Sequence, residues 1–198
     1  GVIPFLYRNY LRTGDARDME RVLYHNKIDI LSMVTLAARL CRAYVDPWPG
    51  EGSGGGRQLG PAEFYALGRW YADEGRGGEA ERAYRSALRR CPRPGSQLRT
   101  RILRELAYLL KRDGRRGEAF TFWQQLSLES SQDTEGVLAH VELAKYFEWH
   151  VEDLTRAAEW TRAALELVEG WRAGMRRDDT VADLRHRLSR LERKLGDE

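Results

Sequence analysis

FYALGRWYADEGRGGEAERAYRSALRRCP, residues 64–92, decides the fold. Phe64, Leu67, Gly68 and Tyr71 recur at helical spacing, and Gly75 ends that run. Ala80, Tyr84 and Ala87 form the apolar stripe of a second helix, which Pro92 stops. The reading is a helical hairpin. Its small residues, Gly68 and Ala80, sit where two helices must approach closely, and Tyr71 and Tyr84 fill the space between them.

This order of residues, aromatic then Leu-Gly, Tyr, Ala, aromatic and Pro, resembles the tetratricopeptide repeat, a unit of about 34 residues. The resemblance implies a solenoid, since one hairpin cannot bury its apolar face alone and neighbours must stack on it. The chain supplies them. Residues 101–126, RILRELAYLLKRDGRRGEAFTFWQQL, place Leu103, Leu106, Ala107 and Leu110 in one helix and Ala119, Trp123 and Leu126 in the next, with Gly114 between. Residues 138–167 give a third, looser repeat through Leu143, Ala144, Phe147, Ala157, Thr161 and Ala164, displaced by one inserted residue near His150 to Asp153. Val181, Leu184, Leu188, Leu191 and Leu195 mark a final helix. It reads as a cap on the array, with a dimerising heptad seam as the rival.

At 198 residues, 42% hydrophobic and 32% charged, the composition is that of a globular protein that folds in water. No apolar run reaches the roughly 18 residues of a membrane span, so no membrane partner is expected. The opening GVIPFLYRNYLRTGD has neither the pattern of a signal peptide nor an initiator Met, and reads as the start of a fragment. Cys41 and Cys91 lie far apart with no CxxC, which favours reduced, buried or half-buried thiols and a cytoplasmic setting.

The net charge of +3 hides a strong division: residues 57–117 hold 15 basic and 7 acidic side chains, and residues 118–170 hold 3 and 11. Arg89, Arg90, Arg104, Arg112, Arg115 and Arg116 fall in the basic part. They read either as a solvated face or as a phosphate-binding surface for nucleic acid, the second being testable by its salt dependence. A third possibility is that the two charged parts pair with one another, between repeats or between chains.

Ahead of the repeats, residues 1–12 predict an amphipathic helix with Phe5, Tyr7, Tyr10 and Leu11 available for packing. Thr13 to Asp15 predict a turn, with Asp15 or Asp18 capping one or two helices that reach about Tyr44. Within this segment, IPFLYRNYLRTGD (3–15) followed by VLYHNKIDILSMVTL (22–36) resembles the C-terminal end of a YprB-like bacterial domain, a ribonuclease-H-like exonuclease domain of the DEDD type. The resemblance implies a parent enzyme in which carboxylates hold two divalent ions, Mg or Mn, for attack of water on a terminal phosphodiester. Asp29 matches the last metal-binding carboxylate and His25 the residue that orients or deprotonates the water. Three residues separate them here, the spacing of the family's tyrosine subtype, while Tyr24 stands at the spacing of its histidine subtype. The family's DxE and its mid-domain Asp have no counterpart in this chain, and no alternating strand pattern is present to hold them. Without the family, His25 and Asp29 read as a solvated helix face.

Residues 46–61, DPWPGEGSGGGRQLGP, read as a linker, mobile near Gly52 to Gly56. The chain has no phosphate-binding GxxxxGK[ST] loop, and His140, His150 and His186 lack the spacing of a zinc site, so no cofactor is expected in the chain itself. The six Trp read as packing residues rather than stacking platforms for bases. The expected architecture is therefore all-α: a helical remnant of an exonuclease domain (1–45), a linker (46–61), and a tetratricopeptide-like array with a capping helix (62–198). Its expected role is a scaffold that binds a protein, a peptide or nucleic acid within a metal-dependent 3′-5′ exonuclease, without being an enzyme on its own. The alternative is a stand-alone adaptor for a protein or peptide, with no nuclease connection.

Overall fold

The computed structural model describes residues 2–48, 59–91, 93–130, 133–171 and 174–196. Among them are nine α-helices, one π-helical turn and no strand. Most of the expected linker, and the helix-stopping Pro92, lie outside the described residues. The chain divides into two compact units, Gly1–Leu59 and Gly60–Glu198.

The first unit is a pair of helices, α1 (Val2–Thr13) and α2 (Arg17–Val45). Gly14 turns the chain with φ of +69°, a region open to glycine at no steric cost, and its N–H donates to the Tyr10 carbonyl at 2.8 Å. Asp15, rather than Asp18, serves the start of α2: its Oδ1 accepts from the Arg17 backbone N–H at 3.1 Å, and its carboxylate pairs with the Arg17 guanidinium at 2.6 Å. The apolar periodicity of residues 19–41 forms one continuous helix. No residue of α1 or α2 is buried, so Phe5, Leu11, Leu23, Leu31 and Val34 stand exposed on this unit. Cys41 is exposed here too, against the expectation of two shielded thiols; Cys91 is buried and both are free.

The second unit contains α3 (Pro61–Asp73), α4 (Gly77–Arg90), α5 (Gln97–Arg112), α6 (Arg116–Glu129), α7 (Thr134–Tyr146), the π turn (Phe147–Val151), α8 (Leu154–Glu169) and α9 (Met175–Gly196). Contacts run α3 to α4, α5 to α6 and α7 to α8 within pairs, then α4 to α5, α6 to α7 and α8 to α9 between them. The first two pairs share one turn chemistry. Gly75 and Gly114 adopt φ of +75° and +78°, and the following N–H groups, of Arg76 and Arg115, reach back to the Tyr71 and Leu110 carbonyls at 2.8 and 2.9 Å. Each closes a helix C-terminus whose carbonyls would otherwise lack donors.

The third pair is joined differently. The residue inserted near His150 is absorbed by the π turn and by Glu152, a non-glycine residue at φ of +59°. The Asp153 N–H then reaches the Phe147 carbonyl at 3.0 Å, and the Asp153 side chain caps α8 by accepting from the Arg156 N–H at 2.9 Å.

The core follows the sequence stripes. Phe64, Tyr71, Ala80 and Tyr84 are buried between α3 and α4, and Leu103, Leu110, Trp123, Leu126 and Leu143 form one cluster across α5, α6 and α7. Val181, Leu184 and Leu191 of α9 are buried against residues of the α7–α8 pair, with Leu188 and Leu195 packed beside them. That burial consumes the leucine stripe that a dimerising seam would need. No helix among the described residues is long and apolar enough to cross a membrane.

Candidate functional site

A cleft of about 750 Å³ opens along the first helices of the three pairs. Tyr65, Arg69 and Asp73, four residues apart on α3, form one wall; Arg101, Arg104 and Glu105 of α5 form the floor; Glu135 in the first turn of α7 closes the far side. Arg104 donates to Glu135 Oε1 at 2.5 Å and to Glu105 Oε1 at 3.2 Å. Burial alone would lower the Arg104 pKa, but the two carboxylates outweigh it and raise it.

Tyr84 enters the cleft from α4. The residue is 2% exposed, and its hydroxyl makes no hydrogen bond to a described residue. Burial, then the Glu105 charge, pushes this phenol well above its ordinary value, so it stays a donor at any physiological pH. Arg69, Asp73 and Arg101 are exposed and pair with no described residue. The described lining residues present paired charges, aromatic surface and a hydroxyl donor.

The six arginines marked in the sequence are not brought together. Arg104 lies in the cleft. Arg89 and Arg90 close α4, where Arg89 donates to Ser86 Oγ and Arg90 stacks 4.7 Å from the Phe64 ring centroid. Arg112, Arg115 and Arg116 lie at the opposite end of the hairpins, because the start of α4 at Gly77 approaches Leu109 and Asp113 at the end of α5. The 14 residues of α4 separate the two groups by about 20 Å.

Several basic residues are instead engaged with the acidic segment. Arg85 and Arg115 pair with Glu118, Arg99 with Glu129, Arg104 with Glu135, and Lys111 with Glu142. Of these pairs, those on different helices stand 30 to 33 residues apart, from Arg99 and Glu129 to Arg85 and Glu118. The opposition of charge along the chain therefore becomes pairing between neighbouring helices. This is the pairing between repeats that the sequence offered as a third possibility, and the offset between an Arg and a Glu about one repeat later is its signal.

On the first unit, His25 and Asp29 occupy exposed positions four apart on α2, and the His25 ring stands edge-on to Tyr24 with centroids 6.1 Å apart. One carboxylate and one imidazole do not make a two-metal site, and among the described residues no group of three or more His, Cys, Asp or Glu could hold a metal ion.

Residues 2–41 match the family model of the RNase_H superfamily. The uncharacterized protein YprB of Bacillus subtilis (strain 168) is 25% identical over 193 residues, which are 96% of this chain and 42% of that relative. The chain thus spans less than half the length of the curated relative it matches. A chain in the crystal structure of a T3SS complex from Aeromonas hydrophila superposes with a TM-score of 0.52 at 16% identity, covering 70% of this chain and 84% of that one. The first two findings tie the α1–α2 segment to ribonuclease-H-like proteins, and the third shows a shared helical fold.

Proposed function

We propose that residues 60–198 are a tetratricopeptide-type recognition module in the C-terminal part of a metal-dependent 3′-5′ exonuclease, and that α2 supplies Asp29 as one metal-binding carboxylate with His25 beside it. The cleft carries this reading. Successive hairpins each present their first helix to it, which is how a helical array offers one continuous surface to an extended chain. The pairing order of the helices, the repeated glycine turn and the ion pairs spaced by about one repeat support the array. The RNase_H match over residues 2–41 and the long alignment with YprB support the nuclease connection.

Two outcomes test it. With Mg²⁺ or Mn²⁺ this chain alone is expected to leave labelled single-stranded DNA and RNA intact, because one carboxylate cannot hold two metals. Degradation abolished by Asp29→Ala would contradict that. The cleft is expected to select peptides from a displayed random library, and Arg69→Glu with Arg101→Glu is expected to reduce binding of those peptides about ten-fold, since each reversal replaces a free cation facing the cleft. Unchanged peptide affinity in the double variant would remove the cleft from the reading.

A further inference from the structure

A second recess lies where α5, α6 and α7 meet the π turn, and it shares no lining residue with the cleft. Lys111, Arg116 and Lys145 surround it, together with Trp149 and Tyr146. We propose that this recess is a binding site for single-stranded nucleic acid, in which Trp149 stacks a base and Arg116, Lys111 and Lys145 hold the adjoining phosphates. The proposal is independent of the cleft but shares with the preceding section the premise that the protein handles nucleic acid.

The indole is the first ground. Trp149 is 55% exposed, whereas Trp123 of the same region is buried. Arg187 stands 5.6 Å from the Trp149 ring centroid and holds the ring in place, leaving more than half of the residue open. A base offers a π-face to such a ring whatever its sequence.

The backbone is the second. The first two hairpins turn through a glycine, while this one uses a π turn and a left-handed Glu152, an arrangement disfavoured for a residue with a side chain. Single π turns concentrate at functional positions. Here the turn contains Trp149, His150 and Val151, all exposed.

Charge is the third. The lining holds one carboxylate, Glu142, against three cations, and its side chain is only 5% exposed. It accepts from both Lys111 and Lys145, so each ammonium keeps donors for a second acceptor. Arg116 is exposed and pairs with no described residue. His150 lies within the field of Arg116 and Lys111, and burial followed by these charges lowers its pKa, which leaves it neutral and available to hydrogen-bond a base. An acidic peptide would use the cations but has no need of the indole.

Fluorescein-labelled (dT)15 and (rU)15 titrated by anisotropy test the proposal and separate DNA from RNA. Binding is expected at about 50 mM salt and is expected to weaken roughly ten- to twenty-fold by about 200 mM, the response of some three phosphate contacts on a single strand. Trp149→Ala is expected to lose about ten-fold while Trp149→Phe keeps most of the affinity, and Arg116→Glu is expected to flatten the salt dependence. Thermal melts of the exposed-site variants show that each remains folded. No binding by the parent chain at low salt overturns the proposal, as does affinity indifferent to Trp149→Phe, Trp149→Ala and Arg116→Glu. Displacement by polyglutamate, with Trp149→Ala silent, would assign the recess to acidic chains instead. Binding lost in Arg69→Glu with Arg101→Glu but kept in Trp149→Ala would overturn this site while leaving a nucleic-acid role for the cleft.

Discussion

Glu148→Gln is expected to lower the thermal midpoint by roughly 10 °C and to release α9 before the rest of the array. The Glu148 side chain is 1% exposed and accepts from three residues of α9: Arg187 at 2.7 Å, Arg190 at 2.6 Å and Lys194 at 3.4 Å. Arg187 is itself only 14% exposed, so removing the carboxylate strands a largely desolvated guanidinium. Breaking a buried pair by deleting one partner costs about 3–5 kcal/mol. Arg190 and Lys194 reach solvent and can recover hydration, which places the loss near the lower figure. For a protein of this size each 1 kcal/mol shifts the midpoint by about 2–4 °C. Glu192→Gln, which breaks the exposed pair with Arg162, is the control and should cost under about 1 kcal/mol.

The pH dependence has a definite sign. Burial would raise the Glu148 pKa, but the Arg190 hydrogen bond and the charges of Arg187 and Arg190 outweigh it and lower it. A carboxyl held lower in the folded state contributes stability above its unfolded pKa of about 4.3, and loses that contribution as pH falls through the folded value. The gap in midpoint between the parent chain and Glu148→Gln should therefore be full at pH 7 and shrink below about pH 4.3. Hydrogen exchange of the α9 amides at pH 7 gives the local readout. Equal protection of α9 in parent and variant would mean that packing of Leu184 and Leu191, not Glu148, holds this helix.

The helices were legible in the sequence because the apolar residues that specify them are local. Leu103 to Leu110, Ala119 to Leu126 and Val181 to Leu195 declare their faces by period alone, and Gly75 and Gly114 mark turns that require positive φ. Even the residue inserted near His150 was visible as a slip in register, although the π turn that absorbs it was not, since its form depends on how α7 and α8 must meet. The cleft was hidden for a different reason. Its lining residues, Arg69, Arg101, Glu105 and Glu135, come from three helices and share no local pattern, so only packing assembles them. The basic cluster misled in the same way: adjacency in sequence placed Arg89 and Arg116 in one group, while the length of α4 carries them to opposite ends. Trp149 reads in sequence like any packing tryptophan, and only the π turn sets it outward.

Gly68→Ala is expected to destabilise the first hairpin although alanine is the better helix former. A Cβ added at Gly68 would lie 2.5, 2.6 and 3.0 Å from the Tyr84 ring atoms Cδ1, Cε1 and Cγ, closer than such atoms can approach. The ring has no room to retreat, being 2% exposed and set against Tyr65 with centroids 6.0 Å apart. Overpacking of this kind costs about 1–3 kcal/mol, against a helix-propensity gain of at most about 1 kcal/mol. The net loss for Gly68→Ala is therefore about 1 kcal/mol, and Gly68→Leu, with three further carbons to place, should reach about 3 kcal/mol. Gly78→Ala supplies the contrast, because a Cβ there meets nothing within 4 Å and only the propensity gain remains. The decisive measurement is a double-mutant cycle by chemical denaturation. In a Tyr84→Ala background the obstructing ring is gone, so Gly68→Ala should change sign and stabilise. If Gly68→Ala costs the same in both backgrounds, close approach of α3 to the Tyr84 ring is not what keeps glycine at position 68, and the interlock read from the sequence is wrong.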